Sequence, residues 1–219
     1  RMADEAERQA SECDDPKRKH ELLTIAENCR VVPENPPQNF WQALQMIWFI
    51  QVAFHIEAPT TACGFGRFDQ YMYPAFKADL DSSAINNDSA LELLECFYLK
   101  CCEVYEVRDK WYAKSFAGYP MWEILVVGGQ TPDGKDASNE LSYLCLDAAA
   151  DLQTTQPVLA VRVFEGTPEP LIRKGAEMIQ QGMANPGFFN DEAAIKMTLG
   201  KGCTMEEARD WTIVGCIQP

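Results

Sequence analysis

Histidine is scarce in this chain: 219 residues hold only His20 and His55, far apart in sequence. No Cys-x-x-Cys pair occurs, so a structural zinc site has no obvious ligand set. His55-Ile56-Glu57 has the His-x-Glu order of zinc deaminases, but no Pro-Cys-x-x-Cys follows it, and the segment reads as a helix end. Basic residues are few as well. Nineteen Lys and Arg face 33 Asp and Glu, and the net charge of −14 opposes attraction to phosphate backbones or anionic lipid surfaces, so neither nucleic acid nor membrane is expected as a partner. Long apolar runs are missing: the nearest, Phe40 to Ile56, carries Gln42, Gln45, Gln51 and His55, which are costly in lipid, so it reads as a helix buried in a large protein. Arg1-Met2-Ala3-Asp4-Glu5 has no apolar run resembling a signal peptide.

Cysteine, by contrast, is plentiful. Nine thiols (13, 29, 63, 96, 101, 102, 145, 203 and 216) are scattered through a chain whose 47% hydrophobic content needs no stapling, which predicts a reducing, cytoplasmic setting. The length suits one substantial core.

Two regimes follow along the chain, mainly helical over 1–120 and alternating strand and helix over 121–219. The first predicts one amphipathic helix over 3–30, a helix from Phe40 capped by Asn39, a helical stretch Phe68 to Leu80, and a long helix Ala90 to Lys114 capped by Ser89. The second predicts strands at Ile124–Val127, Val158–Val163, Phe188–Phe189 and Thr212–Val214. Helices are expected over Ser138–Leu152, over Glu169–Gln181, from about Asn190, and after the Thr204-x-x-Glu207 capping box. Such alternation implies a parallel α/β sheet or barrel with its chemistry at strand ends.

Gly129-Gln-Thr-Pro-Asp-Gly134-Lys135-Asp136 fits G-x-x-x-x-G-K between a strand and a helix, which would make a nucleotide-binding α/β domain. Asp136, however, replaces the Ser or Thr that holds magnesium, and its carboxylate would repel phosphate. Thr131-Pro-Asp-Gly134 is also a ready β-turn, the stronger reading. Gly64-Phe-Gly66 is too short for a dinucleotide fingerprint.

Gly66-Arg-Phe-Asp-Gln-Tyr-Met-Tyr-Pro74 resembles the signature stretch of the pyruvate formate-lyase-like glycyl radical enzymes, a family that includes diol dehydratases, choline lyase, arylacetate decarboxylases and arylsuccinate synthases. Asn39 to Gln45, Gly129 to Leu144, Gln156-Pro157 with Val161-Arg162, Gly187 to Asp191, and Val214-Gly-Cys216-Ile-Gln218-Pro219 resemble further family segments in the same order.

The resemblance implies that the chain is an internal part of a ten-stranded α/β barrel with a helical N-terminal portion. It implies that Cys216, set off by Gly215, is the thiyl-forming catalytic residue, and that Gln218, Ala62, Cys63, Gly64 and Trp122 are substrate-pocket candidates. The expected cofactor is no dissociable molecule but a glycyl radical on a glycine outside residues 1–219, installed by a separate iron–sulfur activating enzyme that uses S-adenosylmethionine. This sequence holds no Cys-x-x-x-Cys-x-x-Cys, so it is not that activator. The expected partners are a small organic substrate, the activating enzyme and, in the intact enzyme, a second copy. These 219 residues alone are expected to be inactive.

Gly215 before Cys216 departs from the lyase with adjacent cysteines, which argues against acetyl transfer. The family's dehydratases and amine lyase read Gly-Cys-x-Glu, where the carboxylate exchanges a proton with the substrate. Gln218 has no proton to transfer near neutral pH. Ala62 and Gly64 stand where those dehydratases tend to have serines. The expectation is therefore C–C bond cleavage or formation, as in arylacetate decarboxylation or addition to fumarate, with dehydration or C–N cleavage as the alternative.

Overall fold

The computed structural model describes residues 1–57, 62–104, 109–115 and 121–215. The chain divides into two compact units, Arg1–Glu57 and Ala58–Pro219.

The first unit is helical: α1 (Met2–Glu12), α2 (Pro16–Val31) and α3 (Phe40–Glu57). The helix expected over 3–30 is in fact two. Asp15 caps α2 by accepting from the Lys17 amide, and Pro16 occupies the first helical position. Proline there has no amide to offer and drives the preceding residue out of the helical region, so the chain must break. Ala3, Ala6 and Ala26 pack the two helices together. Asn39 accepts from the Gln42 amide at 2.8 Å and starts α3. Phe40, Ala43 and Leu44 are buried, while Ile50, Phe54 and Ile56 are exposed, so α3 is not enclosed along its length.

In the second unit β1 (Gly66–Arg67) leads into α4 (Phe68–Tyr71) and α5 (Tyr73–Asp81), a pair interrupted at Met72 where Pro74 opens the next helix. α6 (Asn87–Cys101) begins not at Ser89 but at Asn86, whose side chain and that of Ser89 satisfy each other's amides. It ends at Cys101, well short of Lys114, and α7 (Lys110–Ser115) is separate. β2 (Ile124–Gly128), α8 (Glu140–Leu152), β3 (Val158–Val163), α9 (Glu169–Gln180), β4 (Gly187–Asn190), α10 (Asp191–Leu199) and α11 (Met205–Arg209) complete the order. Among the described residues, no helix is long and apolar enough to cross a membrane.

The four strands form one parallel sheet in the order β1-β2-β3-β4. β2 is buried throughout, because helices cover one face and the 191–213 segment the other. Among the described residues Thr212–Val214 forms no strand: residues 211–213 are irregular and Val214 lies in one bridge. That expectation rested on three β-prone residues, and their surroundings, described next, override the propensity.

Candidate active site

Two arginines close the C-terminal ends of the strands. Arg162, at the end of β3, is wholly buried. Its Nε donates to Asp191 Oδ1 at 2.6 Å, and its two terminal nitrogens donate to the Trp211 and Arg209 carbonyls at 2.8 and 2.7 Å. The guanidinium lies 4.6 Å from the Trp211 ring centre, and the indole Nε1 donates to the same Asp191 oxygen at 2.7 Å. Burial pulls the Arg162 pKa down, and the hydrogen bond with Asp191 opposes it. Arg67, at the end of β1, donates to Asp210 Oδ1 at 2.9 Å and to the Gln130 carbonyl at 2.8 Å. Gly129 makes room for this arrangement: at φ +84° it tolerates what an L-residue would not, and a Cβ there would sit 2.4 Å from Arg162 Nε.

Residues 209–211 are thus held at the C-terminal ends of the strands, and the chain then runs back toward their N-terminal ends. Ile213 packs with Ile124, Val126 and Ala160. A Cβ on Gly64 would meet the Ile213 and Ile124 carbonyls at 3.1 and 3.2 Å. Gly215, buried and left-handed at φ +66°, stops where a Cβ would lie 3.3 Å from that of Ala62. The Ala62 amide donates to the Met121 carbonyl at 2.6 Å, just before β2. Gly215 therefore lies at the N-terminal side of β1 and β2, not at the C-terminal strand ends where parallel α/β chemistry usually gathers.

Four of the sequence-derived pocket residues meet in this region. Ala62 (φ 77°) and Trp122 (φ 51°) both hold left-handed backbone that their side chains disfavour, and Gly64 is pressed between two carbonyls. Cys63 is half-buried, and burial pushes its thiol pKa up, helped by the Glu123 carboxylate. Cys216 and Gln218 lie outside the described residues.

Sequence reasoning missed Glu123, which has no exposed surface, and the Arg162–Asp191–Trp211 cluster. A signal was present for both: a charged residue inside or beside an apolar run, as in Val158-Leu-Ala-Val-Arg162-Val, must be paired if that run is buried.

The phosphate-loop look-alike closes on itself. The Gly134 amide donates to the Thr131 carbonyl, Thr131 to Lys135, Lys135 to the Thr131 hydroxyl, and Ala137 to the Gly129 carbonyl. Lys135 pairs with Asp133 at 2.6 Å. Amides engaged in a turn cannot cradle a phosphate.

The last described segment thus recrosses a parallel α/β sheet and ends at Gly215. The pyruvate formate lyase-like family matches residues 1–219, and the chain belongs to that family of glycyl radical enzymes. It is 39% identical to an isethionate sulfite-lyase of Bilophila wadsworthia over 100% of this chain and 26% of the relative. It superposes at a TM-score of 0.96, with 40% identity over 98% of this chain and 27% of the other, on a structure concerning 1,2-propanediol dehydration in Roseburia inulinivorans. Glycerol-bound glycerol dehydratase of Clostridium butyricum gives a TM-score of 0.94 at 38% identity over 100% of this chain and 28% of the other. Further relatives are named as dehydratases and an indoleacetate decarboxylase. The chain spans about a quarter of the length of the curated relatives it matches.

Proposed function

We propose that this chain is the part of a ten-stranded α/β barrel that carries the thiyl-forming cysteine, Cys216, of a radical lyase acting on a small organic substrate. The observation that supports this most is the buried, left-handed Gly215 seated against Ala62, two residues after the buried Ile213. A sulfur-centred radical needs a sheltered position, because dioxygen and stray hydrogen donors that reach it quench it.

The glycyl radical of the family, installed by a separate activating enzyme that uses S-adenosylmethionine, supplies one-electron chemistry to the site. Within this chain the Cys216 thiol would pass its S–H hydrogen atom to that glycyl radical, leaving a sulfur radical that takes a hydrogen atom from a substrate C–H bond and returns one to product. Ala62, Cys63, Gly64 and Trp122 border the substrate, and Gln218 orients it by hydrogen bonds without exchanging a proton.

Gln218 favours C–C bond cleavage or formation. The geometry at Gly64 supports a pocket poor in hydroxyl groups, since any side chain there would press on two carbonyls. The names of the more similar relatives favour a second reading, elimination of a C–O or C–S substituent.

The test is the full-length protein, activated anaerobically and assayed with arylacetates, toluene plus fumarate, isethionate, glycerol and propane-1,2-diol. Turnover of an arylacetate or of toluene is expected, and it should be lost in Cys216→Ala although the glycyl radical signal persists. Efficient diol dehydration would replace the first reading with the second. Turnover in Cys216→Ala would remove both.

A further inference from the structure

We propose that Arg162, acting with Asp191 and Trp211, is a positioning residue for the segment 211–215 that leads to Cys216. This rests on the reading of Cys216 given above.

A wholly buried arginine is an expensive way to stabilise a fold, since an apolar side chain of similar volume often serves as well. What a guanidinium adds is direction: a planar fork of donors that fixes several acceptors at once. Here one edge holds Asp191, and the terminal nitrogens hold the carbonyls of Arg209 and Trp211. Asp191 in turn holds the Trp211 indole, so backbone and side chain of Trp211 are both locked.

The need for such a lock follows from what comes next in the chain. Among the described residues, 211–213 make no strand and Val214 lies in one bridge, so within them the segment that leads to Cys216 is held chiefly by side chains. Its course is set at two points, the arginine fork at Trp211 and the Gly215 contact with Ala62, with Ile213 packed between them. If the upper point slips, the strain is passed along a few residues to the cysteine. Gly129, whose missing Cβ makes space for the guanidinium, shows that the surrounding backbone is built around this fork.

The experiment compares Arg162→Lys and Trp211→Phe with wild type in the full-length activated protein. Lysine keeps the charge and the stem but loses the fork. Phenylalanine keeps the packing but loses the Nε1 bond to Asp191. Turnover is expressed per glycyl radical spin, measured by electron paramagnetic resonance well below each variant's unfolding temperature. A kcat per spin lowered about 100-fold in Arg162→Lys is expected, as for a displacement of about 1 Å at a reacting atom. A smaller loss is expected in Trp211→Phe, and KM should stay within about twofold in both.

A purely structural role would lower the melting temperature and leave kcat per spin unchanged, which would overturn the proposal. So would failure of both variants to acquire the radical, because the cluster would then serve activation or folding instead. Turnover surviving in Cys216→Ser would instead overturn the function on which the proposal rests.

Discussion

Asp69 shows how much one side chain can settle. It is fully buried, and one carboxylate oxygen accepts from the Gly128 amide at 2.7 Å and the Ser142 hydroxyl at 2.5 Å, while the other accepts from Gln70 at 2.9 Å. Burial raises its pKa, and these hydrogen bonds only partly offset the rise. Its bonds join α4, the end of β2 and α8, so its role is structural. Asp69→Asn cannot accept at both oxygens, and its unfolding free energy in urea is expected to fall by about 1–3 kcal/mol. The pH dependence has a definite sign. Because the folded pKa lies above the unfolded one, the wild type loses stability as pH rises from the ordinary carboxylate value through the folded one. The gap between wild type and Asp69→Asn should therefore be widest at low pH and narrow as pH rises. An unchanged melting temperature combined with abolished turnover would show Asp69 to be catalytic.

At the scale of elements, helix starts are legible in part, because a capping side chain acts within three residues but neighbouring polar residues compete for the position. Thr204 with Glu207 was read directly, and the structure shows their reciprocal bonds. The sequence points to Ser89 as the cap of α6 and to Asp136 or Ser138 as that of α8, whereas Asn86 and Asn139 hold those positions and form capping boxes with a serine three residues on. The two caps differ in context. Asn86 is exposed, whereas half-buried Asn139 also donates to the Asp69 carbonyl at 2.9 Å. Asn86→Ala is expected to cost about 1 kcal/mol and Asn139→Ala about 2 kcal/mol, measured by thermal unfolding. Equal costs would mean that the bond to Asp69 adds nothing. The Gly129 to Lys135 turn has its own check: calorimetry with ATP and magnesium should show no binding. Micromolar binding lost in Lys135→Ala would restore the nucleotide reading.

For the whole molecule, charge makes the simplest prediction. With a net charge of −14, many carboxylates have no cation to pair with, and those that do, such as Glu5 with Arg8, are exposed. Self-repulsion screened by salt should outweigh the loss of such pairs, so the melting temperature is expected to rise between low and high sodium chloride. A fall would show the surface pairs to dominate.

The sequence by itself determined the helix and strand periods, most breaks at proline and glycine, the family signature over Gly66–Pro74, and the unsuitability of Asp136 for a magnesium site. All of these depend on residues a few positions apart, where backbone geometry and capping act locally. Tertiary structure alone decided that Thr212–Val214 forms no strand among the described residues, that Gly215 lies at the N-terminal side of β1 and β2, and that Arg162 and Arg67 hold the segment before it. The physical reason is distance along the chain: the Arg67–Asp210 contact joins residues 143 positions apart. The apolar run around Arg162 marks a charge that needs partners, but which residues they are is decided only once the strands have been laid side by side.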